Sequence, residues 1–138
     1  DPYLHLPVQA VNLGIEELVM WKGQLQEVLP FYHSLDIFVL PSDYEGFGLV
    51  LLEAMSQGIP VIARRISAIP EVMGEEHPGL VDSISPIDLA LKIRTLTSDQ
   101  DALRSCLNYQ AQRLLEFPIE KSQREHERLY SSLLGQTK

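Results

Sequence analysis

The chain has 138 residues, enough for one domain, with 45% hydrophobic residues and a formal net charge of −8, an ordinary globular composition. The acidic balance argues against a nucleic-acid binder and against electrostatic attachment to anionic lipid, and no apolar run approaches the length that spans a bilayer. A single cysteine, Cys106, excludes an internal disulfide, and the scattered His5, His33, His77 and His126 form no cluster with metal-ligand spacing.

Pro2 and Pro7 limit regular structure at the start, and Val8 to Leu13 reads as the last turns of a helix ended by Gly14. Glu17-Leu18-Val19-Met20-Trp21 reads as a short strand, followed by the loop Lys22-Gly23-Gln24-Leu25. Gln26 to Leu35 reads as a helix with Val28, Leu29, Tyr32 and Leu35 on its inner face and Pro30 tolerated near its first turn. Asp36 to Leu40 is a buried strand, which Pro41, Ser42 and Asp43 break. A glycine-flanked loop, Glu45-Gly46-Phe47-Gly48, leads into an apolar helix from Leu49 to Met55. Gly58-Ile59-Pro60 stops that helix before the strand Val61-Ile62-Ala63. Strand, loop, helix and strand together have the size of one βαβ crossover.

Glu53 is the informative residue of that unit. Val50, Leu51, Leu52, Ala54 and Met55 leave its helix no polar face, and a helix apolar nearly all round is expected to be buried on most of its circumference. A carboxylate there costs several kcal/mol unless a partner or water reaches it. Glu53 then either points into a cleft and binds a polar ligand, or reaches a rim and pairs with Arg64 or Arg65. Gly46 and Gly48 either let backbone approach a bound group or serve as turn glycines. The first helical turn, Gly48 to Leu51, offers free N–H groups and the positive end of the helix dipole. A carboxylate for hydroxyls and a helix end for phosphate together suit a nucleotide ribose and its diphosphate.

Beyond this unit, Arg64 to Glu71 is a loop in which Glu71 caps or opens a short helix, Pro70 to Met73. Gly79-Leu80-Val81 is a last short strand. Ser85, Pro86 and Asp88 mark a helix start; that helix, Pro86 to Leu96, places Leu89, Ile93 and Leu96 on one face. Ser98-Asp99-x-Asp101 begins another, which runs to about Leu115 and is broken by Pro118. Ile119 to Leu134 reads as a final helix, with Arg124, Glu125, Glu127 and Arg128 solvated. Continuous apolar strands alternating with helices predict an α/β fold, a parallel sheet covered on both faces. Cys106 reads as a small core residue.

Glu45-Gly46-Phe47-Gly48-Leu49-Val50-Leu51-Leu52-Glu53-Ala54-Met55, then Gly58-Ile59-Pro60-Val61-Ile62-Ala63 and Ile69-Pro70-Glu71-Val72, resembles the donor-binding signature of the family 4 (group 1) retaining glycosyltransferases. Glu45 and Glu53 match that family's Glu–x7–Glu motif. The resemblance covers residues 11 to 134. It implies a single Rossmann-like donor-binding domain over 1–138, with C-terminal helices over 86–134, equivalent to the C-terminal half of a GT-B enzyme. Such a domain should open with a strand and a glycine-rich loop; neither is present, so truncation at the N-terminal edge is expected.

The resemblance also implies the chemistry: transfer of a sugar from a UDP-, GDP- or ADP-sugar to an acceptor hydroxyl, with retained configuration and without a metal or other cofactor. Glu53 would bind the ribose hydroxyls. Backbone N–H groups at Gly48, Leu49 and Val50 would meet the diphosphate. Glu45, with the backbone of Gly46 and Phe47, would contact the donor sugar and act as the catalytic carboxylate. Gly23, Gln24 and Leu25 are base-side candidates, or an ordinary strand-to-helix turn. Ser67-Ala68 departs from the pattern, because many members carry two glycines there and neither residue adopts positive φ cheaply. The Arg and Lys that face the diphosphate in the family have no match in Lys22, Arg64 or Arg65. The acceptor, a glycan, lipid-linked sugar or small molecule, would bind an N-terminal domain outside these residues, so this chain alone is expected to be inactive. The setting implied is polysaccharide or glycolipid synthesis in the cytoplasm or at the inner face of the membrane. The competing reading is a degenerate nucleotide-fold module serving as a scaffold or partner subunit.

Overall fold

The computed structural model describes residues 5–83 and 85–118. Helix α1 (His5–Asn12) ends at the glycine, as expected. Gly14 takes a φ of +66°, its N–H donates to the Val11 carbonyl at 2.9 Å, and the Ile15 N–H reaches back to Ala10 at 3.0 Å. These bonds satisfy carbonyls that a helix end otherwise leaves free.

The strand expected over Glu17–Trp21 does not form. Glu16–Leu18 is a single 3-10 turn, the backbone from Val19 to Val28 is irregular, and Leu18, Met20 and Trp21 are exposed. A strand needs a neighbour to pair its N–H and C=O groups, and no described strand lies alongside. The helix expected over Gln26–Leu35 contracts to α2 (Leu29–Tyr32), with Pro30 at its start, where a missing N–H is harmless. Tyr32 is buried and Leu35 packs against the same core, but Val28 and Leu29 are exposed rather than inward.

The remaining elements form a three-stranded parallel sheet in the order β1 (Phe38–Leu40), β2 (Val61–Arg64), β3 (Leu80–Val81). β1 is shorter than the expected Asp36–Leu40 and only half-buried, because it lies at one edge of this sheet. Phe38 pairs with Val61 and Leu40 with Ala63; Ala63 in turn pairs with Leu80. α3 (Leu49–Ser56) connects β1 to β2, and α4 (Ile69–Met73) connects β2 to β3.

Strand alternation divides the core into two layers. Phe38, Leu40, Val61, Ala63 and Leu80 face a cluster built from Leu51, Ala54 and Met55 of α3 and Ile69, Val72 and Met73 of α4. Val39, Ile62 and Val81 face the other layer with Leu96 of α5 (Pro86–Ser98) and Cys106 of α6 (Gln100–Leu114). This is the expected sheet with helices on both faces.

Both α5 and α6 begin where the sequence signals. The Ser85 hydroxyl accepts the Asp88 N–H at 3.1 Å and donates to its carboxylate at 2.7 Å; that bond holds the Asp88 carboxyl below its ordinary range. Asp99 accepts the N–H groups of Asp101 and Ala102 at 2.9 and 3.0 Å. Ile93, expected inward, is on the outer side of α5; Leu89 and Leu96 carry the contact. The expected helix Ile119–Leu134 lies outside the described residues.

Two side chains from α6 organise the core from a distance. Buried Gln110 accepts the Val61 N–H at 2.9 Å and donates to the Ile59 carbonyl at 2.8 Å, so it satisfies backbone at the entrance to β2. Cys106 is fully buried beside it, and burial pushes its thiol pKa up, as suits a core residue. Arg113 donates to the Val72 carbonyl at 3.0 Å and to the Glu71 carbonyl, which puts a cation on the negative end of α4.

Candidate functional site

Because the strands run parallel, the loops that follow them emerge on one edge of the sheet: Pro41–Gly48 after β1, Arg65–Ala68 after β2 and Asp82 and Ser83 after β3. That edge is where open α/β sheets bind their ligands. Ion pairs tie the loops together. Arg64 holds Asp43, and Arg65 holds both Glu75 at 3.2 Å and Asp82 at 3.0 Å. Neither arginine pairs with Glu53, so the rim salt bridge left open by the sequence is not formed.

Glu45, Gly46, Phe47, Gly48, Leu49 and Val50 come together at the start of α3. Gly48 caps the helix in the left-handed region (φ +81°), and a Cβ there would meet Leu51 at 2.9 Å and Glu45 at 3.2 Å, so its glycine is required by the fold. Gly46 differs. Its φ is unexceptional and a Cβ would touch nothing within 4 Å. The fold itself does not ask for glycine at 46, and the exposed backbone is open to a group approaching closely. The Leu51 N–H bonds to the Gly48 carbonyl at 2.9 Å, whereas no described group accepts from the N–H of Gly48, Leu49 or Val50, and no side chain caps the helix. Phe47 stands edge-on to Phe117, 6.3 Å between ring centres, and Arg113 lies over Phe117. The segment just after α6 thereby braces the loop.

α3 is less buried than its composition predicts. Leu51, Ala54 and Met55 are enclosed, but Leu49 is 62% exposed and Val50 and Glu53 share that open face. The reason is geometric: the helix packs on the sheet with one stripe and meets α4 and α6 on its flanks. No described element covers the stripe carrying Glu53. One oxygen of its carboxylate, Oε2, accepts the Tyr32 hydroxyl at 2.8 Å. A second tie between α2 and α3, His33 to Gln57 at 3.0 Å, lies one turn further on. Tyr32 was legible in the sequence only as an apolar inner-face residue.

No described hydrogen bond joins Gly23, Gln24 or Leu25 to this constellation. Gly23 turns the chain at φ +59°, and Leu25 borders a separate cleft of about 280 Å³ with Lys22, Glu27, Pro30, Phe31 and Ser34. Phe31 and Tyr32, adjacent on α2, are the link between that cleft and Glu53. Glu71 is exposed in the first turn of α4. A cleft of about 680 Å³ along the outer side of α6, from Asp101 to Glu116, contains none of the candidate residues. Among the described residues no three His, Cys, Asp or Glu side chains converge as a metal site requires.

Ser67 adopts φ +50°, the left-handed conformation that a serine does not take cheaply, whereas Ala68 is right-handed at φ −79°. The loop after β2 therefore has a glycine-like backbone at position 67 without the glycine. Left-handed backbone costs an L-residue about 1–2 kcal/mol, and glycine's extra unfolded freedom offsets roughly half of that. Ser67→Gly should therefore raise stability by about 0.5–1 kcal/mol in urea denaturation; a loss of stability would show that the serine side chain supports the turn.

A sequence model of the glycosyl transferases group 1 family matches residues 5–113. The chain is 30% identical over 135 residues to the lipopolysaccharide core biosynthesis mannosyltransferase LpsB of Rhizobium meliloti, covering 94% of this chain and 38% of that protein. It is 46% identical over 96 residues to the O-antigen chain mannosyltransferase B of Escherichia coli, covering 67% and 24%. The chain thus spans well under half of these relatives. Its fold superposes, with a TM-score of 0.65 at 28% identity, on the C-terminal domain of a glycosyl transferase group 1 family protein (LpcC) from Francisella tularensis, over 81% of this chain and 60% of that one.

Proposed function

The chain belongs to the group 1 glycosyl transferases, and from that premise we propose that it is the donor-binding half of a retaining enzyme, which moves a sugar from a nucleotide diphosphate sugar to an acceptor hydroxyl. The observation that carries this reading is Glu53. It stands on the uncovered stripe of α3, free of both nearby arginines, one turn beyond an uncapped helix start. In this reading its carboxylate takes the ribose hydroxyls, the N–H groups of Gly48, Leu49 and Val50 meet the diphosphate, and Glu45 with the Gly46–Phe47 backbone faces the sugar. Base contacts from Gly23, Gln24 and Leu25 require the loop to reach the ligand across α2. No metal or other cofactor enters the proposal. Use of nucleotide-activated sugars suits the cytoplasm or the inner face of a membrane, and no helix among the described residues is long and apolar enough to cross one.

On this reading the 138-residue chain binds donor without turning it over. A helix start supplies about half a positive charge, too little to offset a leaving diphosphate, and Arg64 and Arg65 are already engaged by carboxylates. The decisive experiment is calorimetric titration with UDP, GDP and ADP, alone and as sugar conjugates, in buffer containing EDTA. One nucleotide should bind, and Glu53→Gln should weaken it about ten-fold, the scale of a lost charge-assisted hydrogen bond, with little change in stability. The scaffold reading predicts no binding by any of the three and a neutral or stabilising substitution. Sugar transfer by the chain alone would overturn the claim that it lacks turnover.

A further inference from the structure

We infer that Tyr32 is a positioning residue for the donor site: its buried ring anchors a hydroxyl that holds the Glu53 carboxylate in the orientation a ribose requires. The inference rests on the donor-binding reading of Glu53.

Tyr32 is 4% exposed, with its ring against Phe31 and Phe38 and in the same cluster as Leu51, Ala54 and Met55. That packing leaves the ring little freedom. The hydroxyl emerges where α2 meets α3 and donates to Glu53 Oε2 at 2.8 Å, with the Val50 carbonyl a longer second acceptor at 3.5 Å. Burial first, and then the Glu53 carboxylate, push the phenol up to about 12, so it stays a donor at any physiological pH. Glu53 sits on an exposed stripe, and its carboxylate has no other hydrogen-bond partner among the described residues. Without Tyr32 it would sample many rotamers, and a ligand would have to immobilise it on binding. With Tyr32, one oxygen is held from beneath and Oε1 remains available to accept from a ligand hydroxyl. Val50, whose N–H is one of the three uncapped donors, lies against the same phenol through its carbonyl. One buried tyrosine therefore touches both parts of the proposed site, the carboxylate and the helix start.

The test is a double-mutant cycle in the 138-residue chain, titrated with UDP, GDP and ADP. Tyr32→Phe keeps the ring and removes the hydroxyl. With Glu53 present it should weaken nucleotide binding about three- to ten-fold, the cost of ordering one long side chain. In a Glu53→Ala background the same change should alter affinity less than two-fold. Equal losses in both backgrounds would mark Tyr32 as merely structural, and no loss in either would show the carboxylate needs no anchor; both outcomes overturn the inference while leaving the donor reading intact. Failure of the unmodified chain to bind any of the three defeats the donor reading first, and this inference with it. A second readout follows the Tyr32 phenol alone, by its ring carbon signal in NMR: in Glu53→Ala it should ionise at lower pH than in the unmodified chain. An unchanged phenol titration would show that the two groups do not interact in solution.

Discussion

Replacing Gly79 by alanine should remove at least about 3 kcal/mol of stability, the upper range for overpacking a core, and in a small domain that is a large share of the total. A Cβ at Gly79 would lie 1.8 Å from the Val61 carbonyl oxygen and 3.0 Å from the His77 ring. The first of these is backbone in the central strand, which no rotamer change can move. Relief requires β3 to retreat from β2, yet the Gly79 carbonyl accepts the Ala63 N–H at 3.1 Å and its N–H donates to His77 Nδ1 at 2.9 Å. Any retreat therefore breaks the β2–β3 ladder at its first rung. The contrast is Gly46, where the added methyl meets nothing and alanine should cost little stability. Urea denaturation of the two variants measures both; a Gly79→Ala domain within about 1 kcal/mol of the parent would show that β3 can slide without penalty.

The second large effect is expected on acidification and comes from the same turn. His77 is 2% exposed and lies edge-on to Tyr109, 5.3 Å between ring centres. Its Nδ1 accepts the Gly79 N–H, so the neutral ring carries its proton on Nε2, a buried nitrogen with no partner among the described residues. Burial outweighs the opposing pull of the nearby Gln110 side chain and, with the Lys92 ammonium adding to it, lowers the pKa from 6.5 to about 4. The folded value is thus the lower one. Below pH 6.5 the unfolded chain binds a proton that the folded chain refuses, so stability falls as pH drops from about 6.5 to about 4, and above 6.5 this group contributes no slope. At 1.36 kcal/mol per pH unit the loss amounts to about 3 kcal/mol. His77→Gln should be less stable at pH 7 but should lose about 3 kcal/mol less on going to pH 4. Subtracting the two denaturation series isolates the histidine from the carboxylates, and parallel curves would rule it out as an acid-sensitive group.

The structure also changes what Glu53 means. In sequence, an acidic residue among Val50, Leu51, Leu52, Ala54 and Met55 reads as a buried charge in need of a ligand. In the fold, the side chain is already exposed, because no described element covers the Leu49–Val50–Glu53 stripe of α3. The carboxylate needs no rescue from burial. What distinguishes it is that a residue 21 positions earlier holds it still.

What the sequence determined by itself is what one turn of chain decides. The helix starts at Ser85 and Asp99 and the stops at Gly14 and Gly58 follow from side chains and backbone within five residues of each other, where hydrogen bonds do not depend on the rest of the molecule. The family signature was legible for the same reason, since it is one continuous stretch from Glu45 to Val72. Tertiary structure decided the rest. Glu17–Trp21 has strand composition but no paired neighbour among the described residues, so composition alone could not make it a strand. Ser67 accepts left-handed backbone because the elements around it, β2 and α4, are fixed by their packing. The Tyr32–Glu53 bond, the Gln110 bridge to Val61 and the space that only glycine fits at 79 join residues 18 to 51 positions apart. Such contacts exist only after the sheet has brought the segments together, and no local pattern announces them.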